Sequence, residues 1–445
     1  MNSPPSLANL TLADSLTLAY NPALAISEEA QDLILHHVKI SSDPHSARST
    51  RYAFAVVHGN WTVAGHRALY RKPFEEGIYW TCEKGMRLLE TLRTRSDRAI
   101  AVRDLGGITE SMQSIFGNEG GQRTPQTKSA IWLLDIIKAS PSVKRLETPL
   151  CSYGYIKELA DVLGKRGGVE DMTIVSMSMF EVTPVLYSAW TSSRYIESLK
   201  KLTLDGFDFR ISNPNLVFAT AIPSLLFRQS RLTANVILRI LPSTPVDLHR
   251  MQSLSISSRD GFSSTELEQI FQRIGSTIVD FSLSIEGDLF AEVPTIEGYL
   301  NRTGSQADLP SFVFSPFPRL RSLSLQNCRG MTIAKLNIIG ADSPHLIKLD
   351  LEGTFWSITE EELDPWESEM STIMRSGYDK LKEMNGGVLP FLDGLFLYQV
   401  ETVMLEKGVE FVWRGCVRRV SSDDYDSYDD ARYDDYEDWT GASSD

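Results

Sequence analysis

Cysteine is scarce in this chain of 445 residues: Cys82, Cys151, Cys328 and Cys416 lie far apart and form no C-x-x-C pair. That excludes a disulfide framework and a zinc knuckle. Lys and Arg are absent between Met1 and Ala25, so the charged start of a secretory signal is missing. No apolar run approaches the roughly 18 residues of a membrane helix. Without a secretion signal, the N-x-T triplets at Asn9, Asn60 and Asn301 read as chance rather than as glycosylation sites. A soluble, reduced, intracellular protein of the cytoplasm or nucleus is expected, with no membrane partner. Concentrated positive charge is also lacking. The formal net charge is -14, of which -9 falls in residues 421–445, leaving a mildly acidic body. Phosphate neutralisation needs clustered Lys and Arg, so no nucleic acid partner is expected.

Catalytic text is missing as well. There is no G-x-S-x-G, no H-E-x-x-H and no G-x-x-x-x-G-K-[ST]. Gly164-Lys165-Arg166-Gly167-Gly168 follows a helix and leads into a strand, the reverse order of a phosphate loop. The rings of His36 and His37 point about 100° apart on a helix, which disfavours paired metal ligation. Glu360 to Glu362 and Asp364 read as a helix start, where anions suit the positive end. Trp356 and Trp366 read as core, and Cys328 has no readable base partner. The expectation is a non-catalytic protein with no catalytic residues, no cofactor and no metal.

What the chain does contain is a repeated phrase, L-x-x-L-x-L-x-x-C, at Leu320, Leu323, Leu325 and Cys328, and again at Leu346, Leu349, Leu351 and Thr354. Weaker copies stand at Val169, Met172, Ile174, Met177; at Leu199, Leu202, Leu204, Phe207; at Met251, Leu254, Ile256; and at Ile278, Phe281, Leu283. Intervals near 27 fit one strand-helix unit. The interval of 52 from Leu199 to Met251 fits two units with an unread middle phrase, and 42 from Ile278 to Leu320 fits one unit with an insertion at 292–318. Each unit must stack on a neighbour to bury its apolar face. The fold class expected is therefore α/β, a leucine-rich-repeat solenoid with a curved parallel sheet and outer helices over 76–420, of seven to ten units.

Between the phrases, helices are expected at Cys82 to Arg95, Ser129 to Ala139, Tyr155 to Leu163 ending at Gly164, Ser264 to Ile274 ending at Gly275, and Trp366 to Met384. Further strands are expected at Arg98 to Leu105, Val143 to Leu150 and Leu389 to Leu397. Residues 1–21, rich in Ser, Pro, Asn and Thr, read as a flexible leader. Residues 421–445 hold ten Asp or Glu against one Arg and read as a disordered acidic tail, either a solvated segment or an arm for a basic partner.

Residues 22–75 read as a small all-helical unit: one helix from Ser27 through Val38, and a second from about Ala47 to Leu69. Its text, Ile26-Ser27-Glu28-Glu29 with Leu33 and Ile34, then Val56-Val57-His58-Gly59-Asn60-Trp61 and Leu69-Tyr70, resembles an F-box. It departs from the usual motif at Ile26-Ser27 for Leu-Pro, at Ala30 for a large aliphatic, and at His58 for Cys. In this order along the chain, the whole is similar to divergent fungal-type F-box/leucine-rich-repeat proteins. That resemblance implies a substrate-recognition subunit of an SCF-type ubiquitin ligase. Its F-box-like unit would dock a Skp-type adaptor through Ile26, Ser27, Glu29, Leu33, Ile34, Val56, Val57 and Trp61, and its repeats would bind the target protein. The alternative is a protein-binding scaffold in which the helical unit only caps the first repeat. Target-facing candidates are the intervening residues Lys200, Lys201, Thr203, Ser322, Ser324 and Lys348.

Overall fold

A computed structural model describes residues 31, 34–35, 44–57, 59–74, 82–108, 126–166, 168–181, 198–209, 222–241, 248–259, 261–285, 317–328, 330–354, 356–358, 362–387, 389 and 398–412. The leader, most of the 292–318 insertion and the acidic tail lie outside them. The chain divides into two compact units, the first reaching Ser230 and adding Arg239–Met251, the second holding Arg231–Leu238 and everything from Gln252.

In the first unit, helices α1 (Pro44–Val57) and α2 (Gly59–Arg71) form a hairpin, followed by α3 (Cys82–Thr94) and α4 (Ser96–Ala101). Strands β1 (Asp104–Leu105), β2 (Arg145–Leu150), β3 (Asp171–Glu181), β4 (Lys201–Asp208) and β5 (Ser224–Ser230) then alternate with α5 (Gln126–Ala139) and α6 (Tyr153–Arg166). All five strands are parallel and pair in chain order. Helix α7 (Ala234–Ile240) spans the unit boundary. The second unit repeats the scheme with β6 (Ser253–Ser258), α8 (Ser264–Ile274), β7 (Asp280–Ile285), β8 (Ser322–Gln326), α9 (Ile333–Asp342), β9 (Lys348–Asp350), α10 (Leu363–Gly377), β10 (Glu383–Asn385), α11 (Tyr398–Glu406) and β11 (Glu410–Val412). Its six strands are likewise parallel and in chain order. The α/β class and the parallel strand-helix repeat are as expected.

The cause is a periodicity of two within each phrase. In β6 the apolar Leu254 and Ile256 are buried while Ser253, Ser255 and Ser257 are half-buried on the other face. The register aligns Leu254, Phe281, Leu323, Leu349, Met384 and Phe411 into one row, and Ile256, Leu283 and Leu325 into the next. Helices close over this inward face. Phe271 of α8 meets Phe281 at 5.1 Å and Phe317 at 5.6 Å, both edge-on, and in the first unit Phe209 lies 5.7 Å from both Phe207 and Phe227.

Strand order is reinforced by a forked hydrogen bond at the start of most phrases. One carbonyl accepts two successive N–H groups of the following strand: Arg103 those of Lys144 and Arg145, Lys144 those of Glu170 and Asp171, and Glu170 those of Lys200 and Lys201. In the second unit the carbonyls of Gln252, Val279, Arg321 and Ile347 do the same. The Arg71 carbonyl at the end of α2 takes the Arg103 N–H at 3.0 Å, so the helical hairpin forms the first rung. Beside it, Gly106 N–H donates to Asp104 Oδ1 at 2.7 Å and Gly107 N–H to Glu147 Oε2 at 3.0 Å.

Several expectations are corrected. The single helix expected from Ala47 to Leu69 is two, one ending at Val57 and the next starting at Gly59, and glycine is a poor helix interior. Arg98 to Leu105 is not one strand: Ser96 and Asp97 are helix-start residues, so α4 forms and only Asp104 and Leu105 pair. Gly164 does not end α6, which runs to Arg166; the left-handed conformation falls at Gly168, with φ 89°. Gly275 does end α8, but in the right-handed region, its N–H on Phe271 O. Helix α10 stops at Gly377, and Met384 belongs to β10 instead. Leu389 lies outside any strand, residues 390–397 lie outside the described set, and the last strand is β11. Eleven strands among the described residues exceed the seven to ten units expected. The unread phrase is Ile222, Leu225, Phe227 and Ser230 on β5.

Helix α8 starts on a reciprocal cap: Ser263 Oγ accepts from Glu266 N at 3.3 Å, and Glu266 Oε2 accepts from Ser263 N at 2.9 Å. Ser263→Ala is expected to lower unfolding free energy by about 1 kcal/mol. The check is a urea titration, in which the midpoint falls while the slope stays constant.

Candidate binding surface

The outward faces of the strands carry a regular array of polar side chains. On β6, β7 and β8 the aligned rows are Ser253, Asp280, Ser322; Ser255, Ser282, Ser324; and Ser257, Ser284, Gln326. Serine fills most of these positions, so relief is low and each site can donate and accept a hydrogen bond. Toward β9 the array gains charge. Asp350 Oδ2 accepts from Ser324 Oγ at 3.1 Å and Gln326 Nε2 at 2.6 Å, and its Oδ1 accepts from Glu352 N at 3.1 Å. Lys348 pairs with Glu383 across the strands at 2.7 Å. Burial raises the Asp280 carboxyl above the usual range, partly offset by the Arg321 guanidinium.

In the first unit the corresponding edge is an alternating charge ladder. Glu170 bridges Lys144 at 2.8 Å and Lys200 at 2.5 Å, and Arg145 lies between Asp104 at 3.9 Å and Asp171 at 3.6 Å. The two lysines, which both hydrogen-bond its carboxylate, hold Glu170 down to about 2.

Of the target-facing candidates, Lys200 is tied to Glu170 and Lys348 to Glu383. Ser322 and Ser324 are half-buried on the outward face, as is Lys201. Thr203 is corrected: it is buried and offers nothing to a partner. Asp350 and Glu170 were not singled out from the sequence. The signal that finds them is the repeat interval itself, since 26 residues separate Ser324 from Asp350 and Lys144 from Glu170.

On the helical side, Ile26, Ser27, Glu29 and Leu33 lie outside the described residues, as do the side chains of Val56 and Val57 near the end of α1 and of Trp61 at the start of α2. Ile34 is 39% exposed and helical, next to the buried Leu35. On the hairpin two apolar side chains face outward, Tyr52 at 62% and Val63 at 60% exposed. The other side is anchored. Phe74 is fully buried 6.3 Å from Trp132 of α5, and Arg98 donates to the Tyr70 hydroxyl at 3.2 Å.

The remaining sequence candidates fall into structural roles. Trp356 and Trp366 are both buried in an edge-on pair at 5.0 Å, with Trp356 Nε1 donating to Gly386 O at 2.8 Å. Cys328 is buried and its thiol is pushed up to about 12 by desolvation, against a smaller opposing contribution from Thr354. Its N–H donates to Thr354 Oγ1 at 3.3 Å, and Thr354 Oγ1 donates to Leu325 O. Asp364 lies in the first turn of α10, whereas His36, His37, Glu360 and Glu361 lie outside the described residues. Among the described residues no group of acidic, His and Cys side chains is placed to hold a metal, and no helix is long and apolar enough to cross a membrane. No family model and no curated protein matches the chain.

The Glu170 bridge is expected to show in the pH dependence of stability. A carboxylate depressed to about 2 from 4.5 contributes fully above pH 4.5 and loses that contribution as pH falls toward 2. Glu170→Gln should therefore lower the melting temperature at pH 7, with the gap from the parent closing between pH 4.5 and 2 and shrinking in high salt. Calorimetry across that pH range measures it.

Proposed function

We propose that this chain is a non-catalytic recognition subunit of an SCF-type ubiquitin ligase: the helical hairpin docks a Skp-type adaptor, and the outward strand faces hold the protein to be modified. The observation that carries the reading is the exposure of Tyr52 and Val63 on a hairpin anchored elsewhere through Phe74 and Tyr70, with Ile34 also exposed upstream of it. A helical cap that served only the first repeat would turn its apolar side chains inward. Large apolar groups left in water fit a protein partner, and an exposed aromatic residue is a suitable anchor for one. The repeats contribute small hydroxyls and fixed carboxylates, a surface suited to holding a partner's backbone and polar side chains. Specificity would then be delivered by proximity rather than by chemistry on this chain.

A second reading is a scaffold unrelated to ubiquitin. The fully buried Phe74 against Trp132 favours it, because that packing is what a cap needs.

The deciding experiment is binding of the purified full-length chain to a Skp-type adaptor from the same organism, beside a Tyr52→Ala/Val63→Ala variant whose altered side chains are exposed. The expected result is binding that weakens about tenfold or more in the variant while its circular dichroism is unchanged. Absence of binding by the intact chain overturns the proposal in favour of the scaffold.

A further inference from the structure

Six cations of the first unit are neutralised by a carboxylate close by. Arg87 pairs with Glu83, Arg93 with Asp135, Lys138 with Glu158, Lys144 and Lys200 with Glu170, and Arg145 with Asp104 and Asp171. Another group of cations is gathered near the junction of α2 and α4. Arg71, Lys72, Arg95 and Arg98 form no ion pair with a described carboxylate, and Arg103 donates only to a neutral carbonyl, that of Ser142, at 3.2 Å.

These groups share one place in the fold. Arg98 lies over the Tyr70 ring at 5.3 Å and donates to its hydroxyl. Arg95 is the N-cap residue of α4, one turn from Arg98. The Arg71 carbonyl receives the Arg103 N–H, which joins the α2 end to the start of β1. His66 packs edge-on against Tyr70 at 6.5 Å. Its imidazole titrates below the ordinary histidine value, first through burial and then through Arg98 and Arg95, with Asp97 opposing. The field at this ring is therefore net positive despite the one carboxylate beside it. Uncompensated like charges held together on a folded surface cost stability, and a ligand of opposite sign relieves that cost.

We infer that the α2–α4 junction, with Arg71, Arg95, Arg98 and Arg103, is a docking site for an Asp/Glu-rich segment of a partner protein. The carboxylates of such a segment meet the exposed guanidinium groups of Arg71, Arg95 and Arg103, while the Tyr70 ring keeps Arg98 fixed behind them. The proposal uses neither Tyr52 nor Val63, so its test does not depend on whether the hairpin binds a Skp-type adaptor.

The test is fluorescence anisotropy of the full-length chain with a fluorescein-labelled poly-glutamate peptide. Arg71→Gln/Arg95→Gln is compared with an Arg87→Gln/Arg93→Gln control of equal charge change. The expected result is saturable binding that weakens about fivefold in the first variant, little in the control, and vanishes near 1 M salt. Equal loss in both variants overturns the site as diffuse electrostatics. Tighter binding of a polyphosphate of matched charge overturns the carboxylate assignment. Binding that appears only after residues 421–445 are deleted would assign the site to the chain's own acidic tail and overturn a separate partner.

Discussion

Both units rest on one recurring backbone arrangement, a carbonyl at the start of most phrases that accepts two successive N–H groups from the next strand. Where it occurs, the fork fixes the register of the strand before any side chain is considered, because a slip of one residue would leave one of the paired donors without its acceptor. Side chains then follow. The inward rows of Leu, Ile and Phe stack because their strands are locked, and the outward rows of Ser and charged residues line up for the same reason. The helical hairpin shares this constraint, since its last carbonyl, Arg71, opens the series. Its position against the first repeat is set by hydrogen bonding as well as by the burial of Phe74.

Where the sequence was readable, the reason was period. Leu346, Leu349 and Leu351 repeat Leu320, Leu323 and Leu325 with the same spacing, and the Ile278 and Leu320 phrases pair directly across the long insertion. Reading failed where the period was carried by fewer or different residues. The β5 phrase hides because Phe227 and Ser230 stand where Leu and Cys stand elsewhere. Strands of two or three residues, such as β1, β10 and β11, present only one inward side chain between their ends, too little for alternation to register. The helix boundaries at Gly59 and Gly377 turn on local breakers that a hydrophobic stripe does not report.

The candidate surface was legible in outline only. That the intervening residues of each phrase face outward follows from alternation, and Ser322, Ser324 and Lys348 were placed that way. Which of them remain available depends on partners one repeat away. Lys200 is occupied by Glu170, 30 residues back, and Asp350 becomes a fixed acceptor through Ser324 and Gln326. A linear reading treats such residues as independent, whereas stacking makes nearest neighbours of residues 26 to 30 positions apart. The cations around Tyr70 are likewise gathered by the packing of α2 on α4, which no spacing announces.

The first strand has a consequence for behaviour in concentrated solution. A parallel sheet ordinarily ends in a row of free donors that can template a strand from another molecule. Around β1 several donors are already engaged: Arg103 N–H by the Arg71 carbonyl, Gly106 by the Asp104 carboxylate and Gly107 by the Glu147 carboxylate. The pairing segment itself is only two residues long. That end of the sheet offers little length for strand addition, and the engaged donors on either side of it shorten the foothold further.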